Sequence, residues 1–353
     1  LQRKKVLIPF ILFLLVGIII AVVAFSPKST STVKLNLAHF FPATHPVEKV
    51  LIPKWIEAVH EATGGQVQVT SYPGETLVKA SDMYSGVISG IADIGISCFS
   101  YTRGRFPVLE VFELPGIIYE NSKVSGMVAW EGIKQLNPEE VKDTHLLMVF
   151  STGPGHLLTR VPIRNLDDLK GVEIRATGLS AKTLQTLGAV PVAMAQPETY
   201  EALSRGIVKG NLSPSEVLQG WRHAEVTSYT TITPFLYNTL FFMTANLDTW
   251  NSLSPELQKA ISEANERVFE EVALGLWDDQ NNAALNWAVS EKGMQKIDLS
   301  PAETQRWIDQ VASIQNEYTA KMDSMGLDGK EFLNTVKELA DKYNQEYGDN
   351  LSQ

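Results

Sequence analysis

The chain has 353 residues, of which 44% are hydrophobic and 20% charged, and it carries a net charge of −10. That length supports two lobes, each with its own core, and the composition is that of an ordinary globular protein. The acidic balance argues against a nucleic-acid binder, which presents a basic face. It does not exclude an anionic small ligand, because one buried arginine can set the local field.

Arg3, Lys4 and Lys5 precede an apolar run from Val6 to Phe25, and the polar spacer from Ser26 to Thr32 follows. A basic flank, an apolar stretch and a polar exit mark residues 1–32 as an export segment. The run is long enough to span a bilayer, so a signal peptide and an uncleaved anchor both fit. In either case the positive flank stays inside and the remainder crosses the membrane. A periplasmic location is expected, with membrane contact through this segment if it is retained. The single cysteine, Cys98, excludes an intrachain disulfide, and Ile96 and Phe99 around it point to a buried small residue.

Val33, Leu35 and Leu37 alternate as a first strand, which ends in His39-Phe40-Phe41-Pro42. From Pro46, the residues Val47, Val50, Leu51, Trp55, Ile56 and Val59 keep helical spacing until Gly64-Gly65 stops it. A short strand at Val67 and Val69, a helix over 77–88 and a strand over 94–96 complete a βαβαβ start. An apolar strand over 146–150 leads into the turn Gly153-Pro154-Gly155, where the chain crosses into a second lobe. The run 236–244 is expected to return to the first. From Ser254 onward the pattern is mostly helical, with Ser254-Pro255 and Ser300-Pro301 as helix starts. The division expected is 33–152 with 236–353 as lobe I and bracing helices, and 153–235 as lobe II.

In the second lobe, Val172, Ile174 and Ala176 alternate with Glu173, Arg175 and Thr177, before Gly178 and Ser180 open a helix. Arg175 therefore lies near the carboxyl end of a strand, where open α/β sheets form ligand crevices. Its planar, permanently charged fork matches a carboxylate. Taken alone, an arginine there is more often a surface or inter-element ion pair. Residues 84–97 and 200–213 also echo one another: Tyr84/Tyr200, Gly90/Gly206, Ile91/Ile207 and Ser97/Ser213 coincide. Each copy reads as helix, glycine stop and strand, which suits two similar lobes facing a cleft with Ser97 and Ser213 on its walls. Chance gives the same phrase often, because glycine commonly ends helices.

No catalytic constellation is visible. His39, His45, His60, His145, His156 and His223 are scattered without the spacing zinc requires. Neither a phosphate loop nor a nucleophile elbow is present. The protein is therefore expected to be no enzyme and to use no cofactor or metal. The candidates that remain suit a pocket with apolar walls and a few converging polar groups. Phe40, Phe41 and Tyr101 follow strand ends in the first lobe, with Asn238 near the return crossing, and His156, Arg175 and Ser213 lie in the second. Phe99 and Trp221 read better as core, His156 fits a backbone hydrogen bond equally well, and Phe40 and Phe41 would point to opposite faces if extended.

The order and spacing of several stretches resemble the solute receptors of tripartite ATP-independent periplasmic (TRAP) transporters, from about Leu37 to Tyr347. They include Gly64-Gly65-Gln66-Val67, Ser89-Gly90-Ile91-Ala92-Asp93, Asp168-Leu169-Lys170-Gly171-Val172-Glu173-Ile174-Arg175 and Gly188-Ala189-Val190-Pro191-Val192. The resemblance implies an α/β, two-lobed fold of the type II-like periplasmic-binding-protein kind, with a cleft between the lobes and long bracing C-terminal helices. It implies capture of an organic acid and delivery to an ion-gradient-driven TRAP permease, with Arg175 anchoring the carboxylate. Three departures from the family pattern stand out: Lys209 in place of aspartate, Ser213 in place of a polar residue that is often asparagine, and Gly155-His156 where some receptors carry a second arginine. A monocarboxylate with an apolar or aromatic body then fits Phe41 and Tyr101 better than sialic acid or a C4-dicarboxylate. A membrane-tethered sensing ectodomain is the alternative use of the same lobes.

Overall fold

The computed structural model describes residues 32–348, so the export segment lies outside the described residues except for Thr32. From Lys34 onward the chain forms one compact unit built on two sheets. The first holds β1 (Val33–His39), β2 (Val67–Tyr72), β3 (Ile94–Cys98), β4 (Thr144–Ser151) and β10 (Leu240–Asn246), in the order β2-β1-β3-β10-β4. The second holds β5 (His156–Thr159), β6 (Glu173–Ala176), β7 (Val190–Ala193), β8 (Gly210–Ser213), β9 (Tyr229–Ile232) and β11 (Gln295–Asp298), in the order β11-β9-β5-β8-β6-β7. In the first sheet β3 and β10 are buried along their whole length. Both faces are covered there, so neither strand shows the exposed–buried alternation of a half-solvated sheet.

The helices that frame the sheets are α1 (Ile52–Ala62), α2 (Met83–Ile88), α3 (Ser122–Leu136), α4 (Gly178–Thr186), α5 (Gln196–Ser204), α6 (Pro255–Val268), α7 (Leu276–Lys292), α8 (Pro301–Ser324) and α9 (Gly329–Tyr347). Ser254 and Ser300 cap α6 and α8 by accepting from the N–H groups of Leu257 and Glu303. Helix α8 buries Trp307, Val311, Ile314, Tyr318 and Met322 at helical spacing. It packs on α9 and on α4, while α9 packs on α3. Helix α7 likewise touches both α3 and the short helix Val217–Gly220. These helices tie the two sheets' layers together.

Two expectations need correction. The helix expected over 77–88 begins only at Met83, because the Glu75 carboxylate accepts the Ala80 N–H at 2.7 Å and Lys79 is extended. Val78 then packs onto α2 from outside, against Gly86, where a Cβ would lie 2.8 Å from Val78 Cγ1. The span 236–353 does not stay with the first sheet: Gln295–Asp298 pairs parallel with β9 in the second. That edge strand has the sequence Gln-Lys-Ile-Asp, and it is held by backbone hydrogen bonds with too little apolar alternation to announce itself.

The internal echo is visible in the backbone. Helix α2 leads to Gly90 at φ +73° and then β3, and α5 leads to Gly206 at φ +72° and then β8. The Ile91 N–H bonds Gly86 O and the Ile207 N–H bonds Ala202 O, each at 2.9 Å. Both helices end in the same left-handed glycine turn.

Candidate functional site

Arg175 occupies the third position of β6, and its side chain is 1% exposed. The strand closes at Ala176, and Gly178 opens α4 at φ +48°. A Cβ on Gly178 would sit 2.7 Å from Ser100 Cβ, so glycine is what lets this turn approach the Ser100 segment after β3.

Three of the guanidinium's five N–H groups are committed. Nε donates to Met194 O at 3.1 Å, Nη1 to Asn211 Oδ1 at 3.3 Å and Nη2 to the Tyr101 hydroxyl at 3.4 Å. One N–H on each terminal nitrogen remains, which is the fork a carboxylate fills. Among the described residues no carboxylate pairs with Arg175. A buried cation without a counter-ion is costly, which makes Arg175 the candidate anchor for an anion.

A second layer fixes the arginine. Asn211 turns its oxygen to Arg175, which leaves its amide nitrogen 3.3 Å from His223 Nδ1. That nitrogen therefore accepts, and Nε2 carries the ring proton. Gln196 Nε2 is placed 3.1 Å from His223 Nε2, and the network requires the flipped amide, with its oxygen accepting that proton. Burial, reinforced by the Arg175 charge, pushes the His223 pKa down to about 3, so the ring is neutral. The Gln196 backbone N–H donates to the Tyr101 hydroxyl at 3.1 Å, which links this layer back to the segment after β3.

The arginine opens into a cavity of about 20 Å³ whose walls include Phe40, Phe41, Tyr101, Trp221, Tyr237 and Phe241, with Ser213, Thr239 and Glu216 among its polar groups. Phe40 and Phe41 stack at 4.3 Å between ring centroids, Phe40 lies 5.6 Å from Tyr101, and Phe241 stacks on Trp277 at 5.0 Å. Phe40 and Phe41 do not take opposite faces. The chain bends after β1 ends at His39, so strand alternation no longer applies to them. Of the residues chosen from the sequence, Arg175, Ser213, Phe40, Phe41 and Tyr101 meet at this cavity.

His156 and Asn238 do not line it. His156 Nδ1 accepts the Thr233 N–H at 3.1 Å, so its ring serves the crossing segment, and burial holds its pKa down near about 4. Asn238 is buried between two lining residues, Tyr237 and Thr239, with its amide nitrogen lacking a hydrogen-bond partner. Neighbouring residues of an extended segment face opposite ways. Ser97, the expected counterpart of Ser213, donates to Ala80 O inside the first layer and is not at the cleft. Trp221 lines the cavity and is not simply core, whereas Phe99 packs in the main core cluster as expected.

The residues missed include Asn211, Gln196, His45 and Glu216. Asn211 had one signal, a polar side chain inside a short buried strand. His45, after β1, and Glu216, after β8, meet at 3.2 Å although they are 171 positions apart. No local pattern encodes such a pair.

The two chain crossings between the sheets are bonded to each other: the Thr152 N–H to Thr239 O at 3.1 Å, and the Gly155 N–H to Tyr237 O at 2.8 Å. Ligand pockets usually enclose ~300–1,000 Å³, and this cavity, at about 20 Å³, is far smaller.

Residues 37–321 match the family model of the bacterial extracellular solute-binding proteins, family 7 (DctP). The chain belongs to this family. It is a family of solute-binding proteins and not of enzymes, and its members are extracytoplasmic. Among the described residues no helix is long and apolar enough to cross a membrane.

Solved structures of such receptors share the fold. A TRAP periplasmic solute-binding protein from Desulfovibrio salexigens is 35% identical, with a TM-score of 0.77, covering 91% of this chain and 99% of its own. One from Rhodoferax ferrireducens, in complex with copurified benzoate, is 27% identical with a TM-score of 0.83, covering 89% and 99%. A marine-metagenome protein described as specific for aromatic acids, with 3-hydroxybenzoate, is 28% identical with a TM-score of 0.83, covering 89% and 99%. The two-lobed fold expected from the sequence is the fold of these receptors.

Proposed function

We propose that this chain is the extracytoplasmic receptor of a TRAP-type transporter and that its ligand is an aromatic monocarboxylate. The observation that carries this reading is the pair of unspent N–H groups on buried Arg175, facing a cavity walled by Phe40, Phe41, Tyr101, Trp221 and Phe241. Arg175 takes the carboxylate in a bidentate pair, and the rings take the apolar body by stacking and edge contacts. Ser213 and Thr239 supply further polar contacts. The benzoate and 3-hydroxybenzoate found in the two relatives named above agree in chemistry with this lining.

Binding from both lobes favours the closed state, and closure is what a permease would recognise. The receptor then surrenders the acid to that permease, which is driven by an ion gradient and needs no nucleotide site here. No catalytic step is proposed, because the polar groups at the cavity are arranged to hold an anion. Export by the N-terminal segment places the receptor outside the cytoplasmic membrane.

A panel of acids tests this reading by thermal shift, with calorimetry on the hits. Benzoate, phenylacetate and mandelate should stabilise the protein, while succinate and malate should not. Stabilisation by C4-dicarboxylates or sugar acids alone would overturn the aromatic assignment.

A further inference from the structure

Arg175 accounts for the carboxylate, but the same cavity contains a second charged side chain that this role does not use. Glu216 lines the cavity and its side chain is 5% exposed. Its position is fixed on every side. The Glu216 N–H donates to Asn281 Oδ1 at 3.0 Å, and the same Asn281 donates through Nδ2 to Thr152 O, at the crossing, at 3.1 Å. Behind the carboxyl lies Gly220, where a Cβ would come 2.6 Å from Glu216 Oε2, so glycine is what leaves the carboxyl its place.

One oxygen is satisfied by His45. His45 Nδ1 accepts the Val47 N–H at 3.1 Å, which puts the ring proton on Nε2, and Nε2 donates to Glu216 Oε2 at 3.2 Å. His45 is itself held against Phe41, with ring centroids 4.6 Å apart. The other oxygen, Oε1, makes no hydrogen bond among the described residues. Glu216 lines the cavity and Oε1 is not among the fully buried atoms, so this oxygen is open to accept a donor from the ligand.

We propose that Glu216 is the specificity-determining group of the cleft, accepting a hydrogen bond from a hydroxyl on the ring of the bound aromatic acid, with His45 as its positioning residue. This inference rests on the aromatic-acid reading above and narrows it to hydroxylated aromatic acids. Both groups line the one cavity, so a bound acid would set its carboxylate on Arg175 of β6 and its hydroxyl on Glu216 beyond β8. The same carboxylate repels a second carboxylate on the ligand in a poorly solvated cavity. Glu216 thus selects for the hydroxyl and against the diacid.

The test compares benzoate, 3-hydroxybenzoate, 4-hydroxybenzoate and benzene-1,3-dicarboxylate by calorimetry, in the wild-type protein and in Glu216→Met and Glu216→Gln. A hydrogen bond to a charged group corresponds to roughly 10–100-fold in affinity. The wild type should therefore bind at least one hydroxybenzoate 10–100-fold more tightly than benzoate, and the diacid more weakly than either. In Glu216→Met that preference should collapse towards unity and the diacid should gain ground. Glu216→Gln, which retains an acceptor, should keep part of the preference. Equal wild-type affinity for benzoate and both hydroxybenzoates would overturn the inference while leaving the aromatic-acid reading standing, and it needs no variant to fold. A preference that persists unchanged in Glu216→Met would also overturn it, leaving Glu216 as a brace between lobes. Failure of every aromatic acid to bind would instead remove the reading on which it rests.

Discussion

The Arg175 guanidinium and the Tyr101 hydroxyl meet at 3.4 Å, one from β6 of the second sheet and the other from the segment that follows β3 of the first. The same hydroxyl accepts the Gln196 N–H at 3.1 Å. Tyr101 therefore joins the proposed anchor, Arg175, to the opposing lobe. In Tyr101→Phe the Gln196 N–H loses its acceptor and Arg175 loses a fixed orientation. An ordinary hydrogen bond contributes ~0.5–1.5 kcal/mol net, so acid affinity should fall about 2- to 12-fold in calorimetry. Unchanged affinity would mean that this contact does not orient the arginine.

Gly155 stands at one crossing between the sheets, where a Cβ would lie 2.4 Å from Tyr237 Cδ1 and 3.0 Å from the Ser213 carbonyl. The tyrosine ring can yield, but the Ser213 backbone cannot, because it sits in β8. Gly155→Ala should destabilise the protein by ~1–3 kcal/mol, as overpacking does, and should weaken ligand binding by displacing Ser213. Urea denaturation and calorimetry on the same variant check both effects.

Removing a ring from the cleft should cost affinity for aromatic acids in particular. Trp221 lies 6.0 Å from Phe40 and 6.4 Å from Phe41 between ring centroids, and it lines the cavity. Aromatic pairs contribute ~0.5–1.5 kcal/mol beyond their buried area. Trp221→Leu should weaken phenylacetate binding by about tenfold or more, with a smaller effect on acetate, whose carboxylate meets Arg175 alone. Equal losses for both acids would point to general damage.

Stability should depend on pH with opposite signs on the two sides of neutrality. Burial lowers the pKa of His156 to about 4 and of His223 to about 3, against an ordinary ~6.5 in the unfolded chain. The unfolded chain therefore takes up protons first, and stability that is full above ~6.5 is lost as pH falls towards the folded values. Glu113 acts the other way, because burial raises its pKa to about 8. Its contribution is full below the ordinary carboxylate range and is lost as pH rises through about 8. Burial also lowers the pKa of His145 to about 4 and raises that of Glu140 to about 6, so on the acid side these three histidines oppose the two carboxyls and the melting temperature should peak near a pH of roughly 6.5. Glu113→Gln should flatten the alkaline decline and steepen the loss below about 6.5, where this carboxyl opposes the histidines. Melting curves between about pH 4 and 9 check this, and no loss of stability on acidification would contradict it.

Local periodicity made much of the frame legible: β1, the caps at Ser254 and Ser300, and the strand that carries Arg175. Gly90 and Gly206 were legible as a pair because a left-handed helix end needs glycine, and both adopt it. Phe40 and Phe41 were placed at the cleft, but their shared orientation was not, because it depends on a bend after β1. Edge strand β11 escaped because backbone pairing with β9 needs little from its side chains. The second layer, Asn211 and His223, and the pair His45 and Glu216 arise from contacts between distant segments. Periodicity describes neighbours along the chain, and it carries no information about which buried polar groups will meet.

Native mass spectrometry of the protein from residue 33 onward, with release and identification of any copurified molecule, tests most directly whether Arg175 holds the carboxylate of an aromatic acid. Leaving one partner of a buried ion pair unmatched typically costs ~3–5 kcal/mol, so Arg175→Ala should lose bound acid almost completely. A single aromatic carboxylic acid should be released from the wild type and none from Arg175→Ala. Retention of the same acid by Arg175→Ala, or a copurified molecule without a carboxylate, would contradict it.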